Sequence, residues 1–213
     1  MILLFIGPSG SGKDTQADFL VKENDFLRVS TGDLMRDISE GEHEIQQLIR
    51  KSMNEGFLAD NFVFGLMQIY LADVKADKMI LSGAVRKESQ VELLDFTLFK
   101  VDKKLDKVVY FDLSDEEAIT RMSGRLYCPY DNTNYHLMYN PPKRVDTCDA
   151  CGGKLERRED DNPEAIKLRL EDFHKDNEAI LDLYEKRGIL IKIDASKSIE
   201  EVHQDVMKAL DLN

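Results

Sequence analysis

Residues 7–15, Gly7-Pro-Ser-Gly-Ser-Gly12-Lys13-Asp14-Thr15, have the composition and spacing of a phosphate cradle. Glycines at Gly7, Gly10 and Gly12 let the N–H groups around Ser11 converge on phosphate oxygens. A helical run follows, and its dipole would favour an anion at that end. Lys13 is spaced to reach the β- and γ-phosphates of a nucleoside triphosphate, and the Thr15 hydroxyl to hold Mg2+. The usual pattern has Ser or Thr directly after the lysine; here Asp14 intervenes. The bland alternative is a plain glycine-rich turn, which would not need the apolar run Ile2–Ile6 before it and a helix after it.

A second constellation lies far along the chain. Cys128-Pro-Tyr-Asp131 and Cys148-Asp-Ala-Cys151 form two pairs with two intervening residues each. Two such knuckles can close a tetrahedral Zn2+ site, with thiolate ligands and a carboxylate tolerated as the fourth. His136 is an alternative fourth ligand; a redox Cys148/Cys151 pair and three unligated thiols are the rival readings. The surrounding segment, roughly residues 125–161, is turn-rich and poor in apolar side chains. A module of about 35 residues of that kind cannot support itself by burial. Structural zinc contributes on the order of 10 kcal/mol to such modules, enough to decide whether they fold. With four protein ligands there is no open position for a catalytic water, so this metal would hold structure.

The elements that must position these residues are legible as alternating patterns. Ile2–Ile6, Phe26–Ser30, Lys78–Leu81, Lys107–Leu113 and Ile189–Ile193 are short, nearly continuous apolar runs, as buried parallel strands tend to be. Helical patterns lie between them. Ser198 with Glu201, and Ser114 with Glu117, read as capping boxes. Asn162-Pro163 reads as a cap with proline at the first helical position, and that pattern runs to a stop at Gly188. Strands alternating with helices call for an α/β fold built on a doubly wound parallel five-stranded sheet. Residues 31–64 and 125–161 break the alternation and are read as inserted subdomains. The expected division is a core of 1–30, 60–124 and 162–213, a helical insert of 31–59 and a metal-bearing insert of 125–161.

Composition bounds the rest. The chain has 213 residues, of which 42% are hydrophobic, enough for one real core. A net charge of −12 with no dense basic block argues against a nucleic-acid surface. The N-terminus is apolar only to Ile6 and then turns glycine-rich, so it resembles neither a signal peptide nor a membrane span. A cytoplasmic location is therefore expected. Three cysteines make a disulfide framework implausible.

The segment from Gly7 through Gln16 resembles the phosphate loop of the adenylate kinase family, which has Gly where this chain has Asp14. The similarity continues in order to the C-terminus and covers essentially the whole chain. It implies a P-loop kinase with a helical AMP-binding insert and a lid. Ser30-Thr31-Gly32-Asp33-Leu34-Met35-Arg36 resembles the segment that opens the AMP subdomain. By that likeness Thr31 contacts adenine, Arg36 holds the AMP phosphate, and Leu58-Ala59 line the adenine. Gly83, Arg86 and Gln90 fall where the family binds AMP. An Arg fork suits a phosphate, a Gln amide can pair with a base edge, and Gly permits close approach. Any single Arg is as readily a solvated charge, but these follow strand ends, where ligands of open α/β sheets collect. Arg121 is implied to stack on the ATP adenine, Arg125 to reach phosphate, and Arg158 and Arg169 to act on the group being transferred. Asp160 and Asp161 match an acidic pair at the lid hinge, or simply favour a helix N-terminus. The metal cluster resembles the zinc-bearing lid of one branch, with Asp131 in the second position. The likeness also implies a monomer.

One departure stands out. Within the family's Leu-Asp-Gly-Phe-Pro-Arg, Ser82 replaces the Asp that orients water around Mg2+, and Ala84-Val85 replace Phe-Pro. Asp33 is one residue that can take over. Asp14 is not expected to, since a negative charge so near the phosphates would be repelled. The implied reaction is reversible phosphoryl transfer, ATP and AMP giving two ADP, with Mg2+ accompanying ATP and Zn2+ in the lid. Lys13, Arg36, Arg86, Arg125, Arg158 and Arg169 would surround the moving group, and the inserts would exclude water. A UMP or CMP kinase is the nearest alternative, and a nucleotide-binding homologue weakened in catalysis a further one.

Overall fold

The computed structural model describes residues 1–55, 58–131, 133–157 and 161–212. Its centre is a parallel sheet of β1 (Ile2–Ile6), β2 (Leu27–Ser30), β3 (Met79–Ser82), β4 (Lys107–Asp112) and β7 (Leu190–Asp194), in the order β2-β3-β1-β4-β7. The five apolar runs of the sequence are these strands, displaced by no more than a residue at either end. Period-two alternation explains why they read as continuously apolar. Leu4, Leu81 and Val108 enter the core on one face, and Leu3, Phe5, Ile80 and Val109 enter it on the other.

Each face is covered by helices. On the first lie α4 (Asp60–Asp73), α5 (Ser89–Lys100) and the C-terminal part of α7 (Pro163–Lys186), through Met67, Leu94 and Tyr184. On the second lie α1 (Lys13–Asn24), α6 (Asp115–Ser123), α8 (Ile199–Ala209) and the start of α7, through Leu20, Met122, Val206 and Ile166. From β1 the chain winds outward to β2, comes back as β3, then crosses to β4 on the far side. The crevice left at the C-terminal end of β1 is where such sheets take ligands.

Two insertions interrupt the winding. Between β2 and β3 come α2 (Thr31–Ser39), α3 (Glu44–Glu55) and then α4. Between α6 and α7 lies an antiparallel pair, β5 (Arg125–Tyr127) with β6 (Asn134–His136). Its own core is small, comprising Leu126, Cys128, Tyr135, Cys148 and Leu155.

Caps decide the helix starts. Ser198 and Glu201 form the reciprocal box read from the sequence, and the Asn162 side chain accepts from the Ala165 N–H ahead of Pro163. Ser114 differs. Its side chain accepts from the Glu117 N–H, but the Glu117 carboxylate is drawn off by Arg121 and Tyr139, so the second box is only half made. The last helix also holds the first. Gln16 of α1, almost wholly buried, donates to the Ile199 carbonyl at 2.9 Å, and His203 of α8 bridges Gln16 and Glu23 at 3.1 Å each. Among the described residues no helix is long and apolar enough to cross a membrane.

Candidate active site and metal centre

β1 ends at Ile6, and the chain turns sharply through the glycine loop into α1. Gly10 and Gly12 take φ of +85° and +80°, which L side chains rarely adopt. A Cβ at Gly10 would sit 3.0 Å from the Ala118 carbonyl of α6, so the loop is pressed against a neighbouring helix. Gly12 is the N-cap of α1, and no side chain caps that end. The first-turn N–H groups thus lack the side-chain partner that usually satisfies them, as suits an anion site. Ser11 is buried inside the loop and Thr15 is exposed.

Lys13 draws the cationic residues together. Its Nζ donates to the Pro8 carbonyl at 3.4 Å. Burial pulls its pKa below the ordinary lysine value; Asp14 opposes this, while Arg86, Arg125 and Arg169 add to it by charge repulsion. Four cations from the loop, β3–α5, β5 and α7 therefore act on one another across the crevice. A bound polyphosphate would relieve that repulsion.

Asp161 organises two of them. Its carboxylate, 4% exposed, takes Arg125 in a fork, with Nε at 2.8 Å and Nη2 at 2.6 Å, and Arg169 Nη1 at 3.4 Å. The N-cap of α7 is Asn162, so Asp161 serves the arginines and not the helix start. Arg158 and Asp160 lie outside the described residues.

At the ends of the neighbouring strands, Thr31 Oγ1 donates to the Gly83 carbonyl at 3.0 Å, tying the end of β2 to the end of β3. The Gln90 amide is fixed on both sides. Its oxygen accepts from the N–H groups of Arg86 (2.7 Å) and Lys87 (3.2 Å), and its nitrogen donates to Asp60 at 2.7 Å. Leu58 and Ala59 immediately precede Asp60 in the chain. Nothing in the sequence pattern marked Asp60, because its partner lies 30 residues away. Arg36 pairs with Asp33. Arg121 lies apart, ion-paired to Glu117 at 3.1 Å with its guanidinium 5.3 Å above the Tyr139 ring.

In the lid, one ligand atom from each of Cys128, Asp131, Cys148 and Cys151 lies within 4.8 Å of the others. Cys128 and Cys151 sulfurs are 3.4 Å apart, and Cys148 Sγ is 3.2 Å from Asp131. The cysteines are free thiols. The N–H and side chain of Thr133 hold the Asp131 carboxyl well below the usual range. Cys151 is pushed up to about 12: the Gly153 N–H acts to lower it, but Cys128 and the crowded neighbours outweigh that. Three sulfurs and one carboxylate oxygen gathered this closely suit Zn2+. His136 is engaged elsewhere. Its Nδ1 accepts from the Met138 and Tyr139 N–H groups, so Nε2 carries the proton donated to the Arg121 carbonyl at 2.8 Å. Of the two candidate fourth ligands, the cluster contains Asp131.

The chain matches the family described as adenylate kinase over residues 5–189. Among curated relatives, the adenylate kinase of Methanocella arvoryzae is 39% identical over 212 residues, covering 99% of this chain and 98% of that protein. Those of Staphylococcus aureus and Caldicellulosiruptor bescii are 37% and 35% identical, each covering 99% of both chains.

Proposed function

This chain belongs to the adenylate kinase family, and from that premise we infer that it is an ATP:AMP phosphotransferase, converting ATP and AMP reversibly to two ADP. The observation that carries the reading is the joining of Arg125 and Arg169 on Asp161, together with Lys13 at the uncapped start of α1.

ATP would place its phosphates on the N–H groups of Gly10, Ser11 and Gly12, with Asp14 and Thr15 at the metal side and Arg121 and Arg125 beside it. AMP would lie against Thr31, Leu58, Ala59, Gly83 and Gln90, its phosphate held by Arg36 and Arg86, with Arg158 and Arg169 shared between the nucleotides. The AMP phosphate is already anionic, so no general base is needed. In-line placement and neutral surroundings for the moving group suffice. Mg2+ bound with ATP supplies further charge neutralisation. The helical insert 31–59 and the lid 125–161 would close over the pair and keep water from competing. Zn2+ on Cys128, Asp131, Cys148 and Cys151 would hold the lid in shape and take no part in chemistry. We further propose that the protein works as a cytoplasmic monomer, with no nucleic-acid or membrane partner.

The test is ADP formation from ATP and each of AMP, CMP, UMP and GMP, with zinc measured on the same sample. AMP is expected to be preferred. Lys13→Ala and Arg86→Ala should each lower turnover by at least about 100-fold with the fold intact by circular dichroism. Near-normal turnover in either variant would contradict the assignment.

A further inference from the structure

Asp14 raises a problem that the cleft itself must solve. It follows Lys13 directly, in the first turn of the helix whose N-terminus faces the phosphates, and the residue is exposed at its rim. A carboxylate there repels a polyphosphate unless a cation lies between them. The structure also shows that Asp14 has a dedicated partner across the crevice. Ser82, almost fully buried at the C-terminal end of β3, donates its hydroxyl to Asp14 Oδ1 at 2.6 Å.

Two other acids near it are paired with arginines. Asp33 places one oxygen on Arg36 and the other 3.6 Å from Arg28. Asp18 places Oδ1 2.8 Å from Arg28. Guanidinium groups thus bind both alternatives, whereas the Asp14 contact is with the neutral Ser82 hydroxyl.

We propose that Asp14, aligned by the Ser82 hydroxyl, is the protein carboxylate that holds the hydrated Mg2+ of bound ATP. The proposal rests on the nucleotide cleft described above and names which of its residues faces the metal. Mg2+ suits the position. It binds oxygen, keeps several of its waters, and is commonly held by one or two carboxylates together with substrate phosphates. Asp14 and Ser82 thus exchange the roles that the likeness to the family assigned to Gly and Asp at those positions. The carboxylate reaches the same place from the helix side of the crevice. Repulsion, which argued against Asp14 in the sequence alone, becomes the reason a divalent cation is required.

The decisive measurement is calorimetric binding of ATP to the full-length protein, with and without Mg2+ and without turnover. In the unaltered protein Mg2+ should tighten ATP binding by about tenfold or more. Asp14→Asn should bind metal-free ATP more tightly than the unaltered protein and gain less than about threefold from Mg2+. The double variant Asp14→Gly, Ser82→Asp should regain the Mg2+ dependence, and Ser82→Ala should raise the Mg2+ concentration needed for half-maximal effect. Full Mg2+ dependence retained in Asp14→Asn overturns the metal assignment alone. Failure of the unaltered protein to bind ATP with or without Mg2+ overturns the nucleotide cleft as well.

Discussion

Asp161 joins two arginines that are far apart along the chain, one at the base of the lid and one on α7. A carboxylate that is 4% exposed and forks onto Arg125 fixes that guanidinium more firmly than a surface pair would. Asp161→Asn keeps the shape and removes the charge. The expected result is a fall in turnover of about tenfold or more, with a smaller change in the KM for AMP, because the loss is one of alignment. Steady-state kinetics with both nucleotides varied would check it. The sequence could not assign this role. An acidic residue just before Asn162-Pro163 looks the same whether it favours the helix end or clamps arginines, and only the fold brings Arg125 within reach. Asp14 shows the same limit: its charge was visible, but the Ser82 hydroxyl that redirects it was not.

The central strands β1, β3 and β4 were legible because they are buried on both faces, which leaves a nearly uninterrupted apolar run, and the edge strands β2 and β7 through the shorter apolar stretches they keep. The caps of α7 and α8 were legible because they are local, resting on side chains three residues from the N–H groups they bind. Ser114 and Glu117 show where local reasoning fails: a tertiary partner, Tyr139 of the lid, competes for the same carboxylate. The lid is the element least able to stand alone. Its core holds five buried residues, two of them metal-cluster cysteines. Removing zinc with a chelator should therefore abolish amide protection in β5 and β6 while the parallel sheet keeps most of its protection, as read by hydrogen exchange. Loss of protection throughout the sheet, or none in the lid, would count against a metal-supported lid. His136→Gln should leave zinc content unchanged, since both ring nitrogens are already engaged, one by the Arg121 carbonyl of α6 and the other by N–H groups of the hairpin.

At the scale of the whole molecule, the contact between Gln16 and Ile199 spans 183 residues. The loop that would cradle ATP is thereby steadied by α8, the last helix among the described residues. Gln16→Ala leaves the Ile199 carbonyl without its side-chain donor and removes one of the two partners of His203. A loss of roughly 1–2 kcal/mol in unfolding free energy is expected by urea titration, together with weaker ATP binding. A chain emerging from the ribosome completes β1 and its glycine turn first, yet it lacks the brace for them until α8 has been synthesised. Nascent chains arrested before residue 199 should accordingly be poor ATP binders, so that half-made copies sequester no nucleotide.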